Sequence, residues 1–287
     1  MPTVNTFSTE RREIAGVPVT QLAKQFGTPL YVYDAATIAE RIADLKKFDV
    51  IRYAQKACSN LSILDYVRRR GVLVDTVSAG EIQRALAAGY SPAGDPPPVV
   101  YTADIFDRET LALVVEKNIH VNCGSPEMID QLGAVAPGRG ITLRINPGFG
   151  HGHSQKTNTG GEQSKHGIWH EQLEDSLRRA DHHGLSVVGL HLHIGSGTDL
   201  EHLSQVCGAM ERLARIVGRS ITSISAGGGL PVPYSADQSY MDLDVYFDLW
   251  DACRKRLQEA FGHAIRLEIE PGRYLVAESG YLVSEIR

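Results

Sequence analysis

Hydrophobic residues after position 50 fall into short, β-branched runs that alternate with longer segments whose apolar residues share one helical face. This alternation is typical of parallel βαβ units, in which helices cover a sheet. Eight such runs predict strands, at residues 50–57, 72–78, 98–104, 120–125, 141–147, 186–195, 220–229 and 265–272. Eight strands with intervening helices close a barrel of ~250 residues. The pattern therefore predicts an α/β fold, a (β/α)8 TIM-like barrel.

Residues that favour helix starts stand between the runs. Asn60, Ser78 and Asp107 each precede or open an amphipathic segment of helical length. Their side chains can accept hydrogen bonds from the free N–H groups of a first helical turn. We expect these helices to form the outer ring of the barrel.

Two end segments fall outside the barrel pattern. Residues 1–34 contain a short helix candidate, VTQLAKQFG, and a strand candidate, PLYVYD. Residues 35–280 hold the barrel, and residues 281–287 read as a strand that begins a further β element and then stops. We expect most of that further element to be absent from this chain.

Composition narrows the class of protein. The chain has 287 residues, of which 43% are hydrophobic and 22% charged, as expected of a globular protein with a large core. A net charge of -5 without a run of Lys or Arg argues against a nucleic-acid partner. No apolar run approaches the ~20 residues of a membrane helix, and the N-terminus is charged where a signal peptide is apolar. We expect a cytoplasmic protein without a membrane partner.

The four cysteines, Cys58, Cys123, Cys207 and Cys253, lie far apart in the sequence. Their spacing matches neither a zinc site nor a redox motif. We interpret them as free thiols, which behave as small buried hydrophobes.

One loop is unusually long. Residues 148–167 are Gly-rich and polar, and they follow a predicted strand. Such loops lie at the catalytic face of a barrel and can act as lids, and the alternative is a disordered surface insertion.

The predicted strands end in an unusually polar set of residues. Functional residues of barrels lie at the carboxyl ends of the strands. The set comprises Lys56, Asp75, Ser78, Arg144, Asn146, His193, Ser196, Gly227, Gly228, Gly229, Glu270 and Arg273. We expect these residues to converge on one mouth.

Lys56 is a candidate nucleophile. It follows Tyr-Ala-Gln in an apolar strand, so we expect its amine to point into the barrel mouth. Desolvation there would lower its pKa from the usual ~10.4 and allow it to form a Schiff base. The residue alone fits equally well a lysine that extends from a strand end into solvent.

Gly227, Gly228 and Gly229 follow a late strand, where barrels commonly bind phosphate. Without side chains, they allow a close approach of backbone N–H groups to an anion, and Ser196 could add a hydroxyl. A glycine run is also compatible with a simple turn.

Glu270 and Arg273 flank a Pro-Gly turn. A carboxylate at position 270 could hold a cofactor's ring nitrogen in its protonated form. Arg273 could bind a substrate carboxylate through two parallel hydrogen bonds. The rival interpretation is an ion pair between the two residues.

His191 and His193 alternate along one strand and therefore share a face. A di-histidine metal site is conceivable, but no third ligand follows at a suitable spacing, so we predict no metal. We expect His193 to lie flat on an aromatic cofactor ring. His191, one layer deeper, is interpreted as a core histidine.

Several long motifs, in this order along the chain, resemble those of one family. They are YAQKACSN at 53–60, GFGHGHSQKTNTGG at 148–161, HLHIGSG at 191–197, SAGGGLPVPY at 225–234 and LEIEPGRYLVAESG at 267–280. The chain resembles the diaminopimelate decarboxylases, fold-type III enzymes that use pyridoxal 5'-phosphate and are related to alanine racemase and ornithine decarboxylase.

The resemblance implies a role for each matching residue. Lys56 would form a Schiff base with pyridoxal phosphate, His193 would stack on its ring, and Glu270 would pair with the ring nitrogen. Arg273 would bind the substrate carboxylate. Phosphate would contact Gly227, Gly228, Gly229 and the backbone of residues 270–273, including Pro271 and Gly272. Asp75, Arg144 and Ser196 match positions near the cofactor.

The resemblance also implies an activity and a partner. Lys56, His193 and Glu270 would serve the decarboxylation of meso-2,6-diaminopimelate to L-lysine and CO2, the last step of lysine biosynthesis. The family acts as a homodimer on this small-molecule substrate.

One departure from the family affects the expected activity. The family carries a C-terminal β domain whose Cys-Glu motif and Tyr complete the partner subunit's site, and this sequence ends before it. Residues 1–34, which pack with that domain, would then expose apolar surface. We expect little CO2 release by this chain alone. Two alternatives remain, a pyridoxal-phosphate-binding protein without turnover and a racemase-like isomerase.

Overall fold

A computed structural model describes residues 10–149, 160–161, 164–193 and 200–287, with only the backbone described for 200–202. The strands are β1 (Glu13–Ile14), β2 (Val17–Pro18), β3 (Leu30–Tyr33), β4 (Val50–Ala54), β5 (Leu73–Thr76), β6 (Val99–Ala103), β7 (His120–Cys123), β8 (Gly140–Asn146), β9 (Ile168–Trp169), β10 (Ser186–Leu192), β11 (Ser223–Ser225), β12 (Arg266–Ile269) and β13 (Gly280–Val283).

The helices are α1 (Val19–Phe26), α2 (Ala35–Asp44), α3 (Leu61–Arg68), α4 (Ala79–Ala87), α5 (Arg108–Glu116), α6 (Pro126–Val135), α7 (Leu173–His182), α8 (Leu200–Val217), α9 (Leu243–Phe261) and α10 (Arg273–Val276). Short 3-10 helices span Gln55–Ala57, His170–Gln172 and Ala277–Ser279. None of the helices in these described ranges is long and apolar enough to cross a membrane.

Eight parallel strands form a closed barrel. Their order is β4-β5-β6-β7-β8-β10-β11-β12, and pairing of β12 with β4 closes the ring. The two-residue strand β9 adds to β8 at the rim. Each of the eight predicted runs overlaps one of the barrel strands, so the predicted (β/α)8 fold is confirmed.

The predicted helix caps are present. The Asn60 side chain accepts hydrogen bonds from the first-turn N–H groups of α3, Ser78 does so for α4, and Asp107 for α5. Each bond satisfies an N–H group that has no partner within its own helix. These local contacts fix where the helix after each strand begins.

Apolar side chains pack between the barrel and its helices, whereas polar side chains fill the barrel. Leu64, Ile82 and Leu132 are fully buried in the outer layer, and each such side chain contributes roughly 1.5–3 kcal/mol through burial. Inside, Arg52 donates two hydrogen bonds to Glu268. A polar interior is unusual, because barrels are commonly filled by branched apolar residues.

The four cysteines are free thiols, as predicted. Cys123, Cys207 and Cys253 are buried in the hydrophobic core, and Cys58 is half-buried.

The described parts of the two end segments, residues 10–34 and 281–287, form a small unit beside the barrel. β13 pairs antiparallel with β3, and Ile14, Leu22 and Val283 form a second apolar cluster. The predicted short helix and strand of residues 1–34 correspond to α1 and β3. On the other face of this unit Tyr31 and Leu282 are 72% and 60% exposed.

Candidate active site

A cleft of about 750 Å³ opens at the carboxyl ends of the barrel strands, and we call it the upper cleft. Nine of the predicted cofactor residues line it: Lys56, Asp75, Arg144, His193, Gly228, Gly229, Glu270, Gly272 and Arg273. Gly227 and Pro271 adjoin it without lining it. Ser196 lies outside the described residues.

Lys56 lies on the 3-10 helix Gln55–Ala57, just beyond β4, and not within the strand as predicted. The buried Gln55 side chain donates to the backbone oxygen of Glu81 and holds this turn in place. Lys56 is consequently exposed to the cleft rather than desolvated. Its amine takes part in no ion pair within the described ranges.

Glu270 follows β12 directly and is buried. Its Oε2 lies 2.6 Å from His191 Nε2, and its Oε1 accepts a hydrogen bond from the Ser225 hydroxyl at 3.2 Å. Burial would raise the pKa of Glu270, but the charge and hydrogen bond of His191 outweigh it and lower the pKa to about 2. Glu270 is therefore an anion at neutral pH.

Asp75 is a second buried carboxyl group in the cleft. Burial, together with the negative charge of Glu270, raises the pKa of Asp75 to about 7, while Lys56 opposes the shift. Its Oδ1 has no hydrogen-bond partner in the described part of the chain. The two carboxyl groups thus differ in ionisation, and Asp75 titrates near neutral pH.

Two of the three glycines at positions 227–229 use their N–H groups within the protein, so these groups do not point at an anion. Gly227 N–H donates to the Ser225 hydroxyl and Gly228 N–H to His193 Nδ1, both at 3.1 Å. The prediction that the glycine N–H groups bind an anion is therefore wrong for Gly227 and Gly228. Gly229 N–H has no partner within the described residues. A Cβ on Gly228 would lie 2.4 Å from the backbone oxygen of Glu270, so a side chain cannot fit there.

His193 is held in one tautomer. Because Nδ1 accepts from Gly228 N–H, the ring proton lies on Nε2. Burial, followed by the positive charges of Arg144 and Lys56, lowers the pKa of His193 well below its ordinary value. His193 is therefore a neutral, oriented ring in the cleft.

Arg144 and Arg273 are cations of the upper cleft that have no carboxylate within ion-pair distance in the described ranges. Arg144 is buried, and Arg273 is half-buried and donates a 3.4 Å hydrogen bond to the Tyr234 hydroxyl. The alternative ion pair between Glu270 and Arg273 does not form, because Glu270 is bonded to His191 and Ser225 instead.

Sequence reasoning missed His191, Ser225 and Tyr234 as parts of this site. His191 was interpreted as a core histidine, yet its Nε2 contacts Glu270. The shared face of His191 and His193 was the available signal. The described ranges contain no cluster of three or more potential metal ligands.

The described ends of the 148–167 loop are fastened to the barrel. Asn146 bonds to the backbone of Gly148 and Gly161, and Asp104 bonds to His166 and to Gly167 N–H. The predicted lid falls largely on residues 150–159 and 162–163, outside the described residues.

A family model described as "Pyridoxal-dependent decarboxylase, pyridoxal binding domain" matches residues 35–277. The chain belongs to this family. Its cofactor is pyridoxal 5'-phosphate, and the matched region corresponds closely to the barrel.

Two relatives of this chain are named diaminopimelate decarboxylase. The chain is 61% identical to the diaminopimelate decarboxylase of Streptomyces coelicolor over 92% of this chain and 60% of the relative. It is 53% identical to that of Escherichia coli K12 over 98% of this chain and 67% of the relative. The chain thus spans about 60% to 67% of the length of these relatives.

A solved structure supports the same family. A crystal structure of a diaminopimelate decarboxylase superposes with a TM-score of 0.90 at 54% identity. The superposition covers 96% of this chain and 65% of that one.

The upper cleft fits pyridoxal phosphate. Such a cofactor needs an amine for its aldehyde, a carboxylate for its ring nitrogen, a flat neighbour for its ring and donors for its phosphate. Lys56 is the lysine lining the cleft, Glu270 is a buried anion, and His193 is an oriented ring. Gly229 supplies an N–H group that has no partner among the residues that the structure describes.

Proposed function

We propose that the upper cleft holds pyridoxal phosphate and that the protein removes a carboxylate from meso-2,6-diaminopimelate, giving L-lysine and CO2. The observation that carries this proposal is the charge of the cleft. Lys56, Arg144 and Arg273 converge there without carboxylate partners in the described structure, beside an anionic Glu270. The relatives named diaminopimelate decarboxylase, one of them 61% identical, support the choice of substrate.

Different residues of the upper cleft would bind different parts of the cofactor. Lys56 would hold it covalently through its amine, Glu270 would accept a hydrogen bond from its ring nitrogen, and His193 would pack against its ring. Gly229 N–H would bind the phosphate, and Gly227, Gly228, Pro271 and Gly272 would shape that site. Asp75 and Arg144 would lie near the ring, and a contact from Ser196 stays a prediction.

When bound, the cofactor supplies an acceptor for the electrons that remain when CO2 leaves. The protein's own part is to hold charges in place. Glu270 would stay anionic and accept a hydrogen bond from the ring nitrogen, which would keep the proton on that nitrogen. Arg273 binds the carboxylate that the substrate keeps, through parallel hydrogen bonds, and thereby orients the one that is lost.

We also propose how the chain is divided into domains and how it assembles. Residues 35–280 form the cofactor domain, while residues 1–34 and 281–287 belong to a unit that includes the β3–β13 pair. A cytoplasmic homodimer is proposed from the resemblance. Light scattering of the purified protein tests the dimer.

Release of CO2 from carboxyl-labelled meso-diaminopimelate tests the proposed function. The chain is assayed alone and joined to the part of the Streptomyces relative outside the match, with L-lysine as the substrate control. We expect the joined protein to release CO2 from meso-diaminopimelate and not from L-lysine, which lacks the second carboxylate. Preference for L-lysine would contradict the substrate. A bound cofactor without CO2 from either compound would favour a binding protein without turnover.

A further inference from the structure

Glu270 occupies an unusual place, because solvent space reaches it from both ends of the barrel. It lines the upper cleft and also a cavity of about 730 Å³ at the amino end, which we call the lower cavity. The lower cavity is lined by Arg52, His120, Thr142, Ser225, Glu268 and Glu270, among others. A carboxylate between two polar spaces needs specific contacts to keep one orientation and one charge state.

Two adjacent strands supply those contacts. His191 on β10 is in register with Ser225 on β11, and both side chains bond to Glu270 at the end of β12. Each carboxylate oxygen therefore has one donor from the protein. Each also retains a lone pair for a further donor in the upper cleft.

The His191 ring has a single polar contact in the described structure. Its Nε2 lies 2.6 Å from Glu270 Oε2, while its buried Nδ1 has no partner among the described residues. His191 is 1% exposed. Because Glu270 is an anion, Nε2 carries a proton and donates it in this hydrogen bond, which is the one polar contact of the ring within the described part of the chain.

We propose that His191 is a positioning residue that keeps Glu270 anionic and oriented, so that Glu270 holds the ring nitrogen of the bound cofactor in its protonated form. The inference rests on the proposed placement of that nitrogen at Glu270. A hydrogen bond to an ionised carboxylate is roughly twice as strong as a neutral one. Without this donor, a buried carboxylate takes up a proton more readily.

The other charged groups around Glu270 do not replace His191. Arg52 is bonded to Glu268, and His193 accepts from Gly228 N–H. Asp75 repels the charge of Glu270. Lys56 is committed to the cofactor under the proposed function. Loss of His191 therefore leaves Ser225 as the donor to Glu270 in the described structure.

The test uses cofactor labelled with 15N in its ring, because the nitrogen resonance reports protonation directly. His191→Leu removes the donor, whereas His191→Gln keeps an N–H at a similar position. His120→Leu is the matched control, since His120 is also inside the barrel but bonds to Thr142. Cofactor dissociation constants and thermal unfolding are measured on the same samples.

We expect a protonated ring nitrogen in the wild type, in His191→Gln and in His120→Leu. In His191→Leu the resonance should shift toward the unprotonated position, and the cofactor dissociation constant should rise about 10- to 100-fold. Should His191→Leu not fold, a wild-type resonance and affinity in His191→Gln, against an unprotonated nitrogen in His191→Ala, would support the proposal.

Three results would overturn the proposal. One is a protonated nitrogen with wild-type affinity in a folded His191→Leu. Another is an equal loss in His120→Leu, which would show a structural role alone. A wild-type chain that binds no labelled cofactor would overturn the placement as well. Failure to decarboxylate diaminopimelate, with the His191-dependent resonance intact, would instead contradict only the proposed substrate.

Discussion

The two ends of the barrel enclose spaces of similar size, about 750 and 730 Å³, and charged residues line both. At the amino end the charges compensate one another. Arg52 lies 2.9 Å from Glu268, and Arg266 lies 2.6 Å from Asp95. The lower cavity is therefore close to neutral, because its charged side chains form ion pairs with one another.

At the carboxyl end the cations have no such partners in the described structure. Lys56, Arg144 and Arg273 line the upper cleft outside every ion pair found there, while the buried anion of the cleft, Glu270, is bonded to His191. Uncompensated charges at close quarters cost stability and mark functional sites. Paired charges therefore maintain this barrel, whereas charges without a partner in the described structure indicate where it binds an anionic ligand.

The largest expected effect is a loss of stability when the Arg52–Glu268 ion pair at the amino end of the barrel is removed. Arg52→Leu leaves Glu268 buried without its ion-pair partner, which costs about 3–5 kcal/mol of the free energy of unfolding. Denaturant unfolding of the cofactor-free protein measures this loss. The double variant Arg52→Leu/Glu268→Leu should recover most of it. A single variant as stable as the wild type would show that the pair does not maintain the fold.

Replacing an arginine by leucine at the carboxyl end should lower cofactor affinity instead of stability. Arg144→Leu removes a buried cation without an ion-pair partner, so the cofactor-free protein should be at least as stable as the wild type. Its affinity for pyridoxal phosphate should fall about 10- to 100-fold, the effect of losing a hydrogen bond to a charged group. Fluorescence titration with the cofactor measures it. A large loss of stability with unchanged affinity would reverse the comparison.

A smaller, pH-dependent effect is expected at Asp75, whose pKa is raised to about 7. Between about pH 4, the ordinary aspartate range, and pH 7, the unfolded chain binds fewer protons at this site than the folded one. The site's contribution to stability therefore falls as pH rises through this window and is constant above it. The Asp75→Asn variant cannot ionise at this position, so its stability relative to the wild type should increase as pH rises through the same window.

Thermal unfolding of the cofactor-free proteins at several pH values checks the Asp75 prediction. Asp181→Asn, which removes an exposed carboxylate from the outer surface, is the control for the substitution itself. A stability difference between Asp75→Asn and the wild type that does not change with pH would exclude a raised pKa as its cause.

Local sequence signals sufficed for the fold. Short β-branched runs predicted the eight strands, and Asn60, Ser78 and Asp107 predicted where three helices begin, because capping depends on residues only a few positions apart. The strand ends likewise predicted most of the residues that line the upper cleft.

Contacts between distant strands could not be predicted in this way. His191 and Glu270 are 79 positions apart, and Arg52 and Glu268 are 216 apart. The bond from Gly228 to His193 likewise depends on how two strands meet in space. The position of Lys56 beyond β4 depends on the bond from Gln55 to Glu81, which no periodic pattern reveals.

The most direct test of the account is the covalent site at Lys56. The protein is loaded with pyridoxal phosphate, treated with borohydride, which fixes a cofactor bound to a lysine amine, and mapped by peptide mass spectrometry. Lys117→Ala, on the outer surface, serves as the control beside Lys56→Ala. The account predicts the added mass on the peptide containing Lys56, retained in Lys117→Ala and lost in Lys56→Ala. A label on another lysine, or none on the wild type, would contradict it.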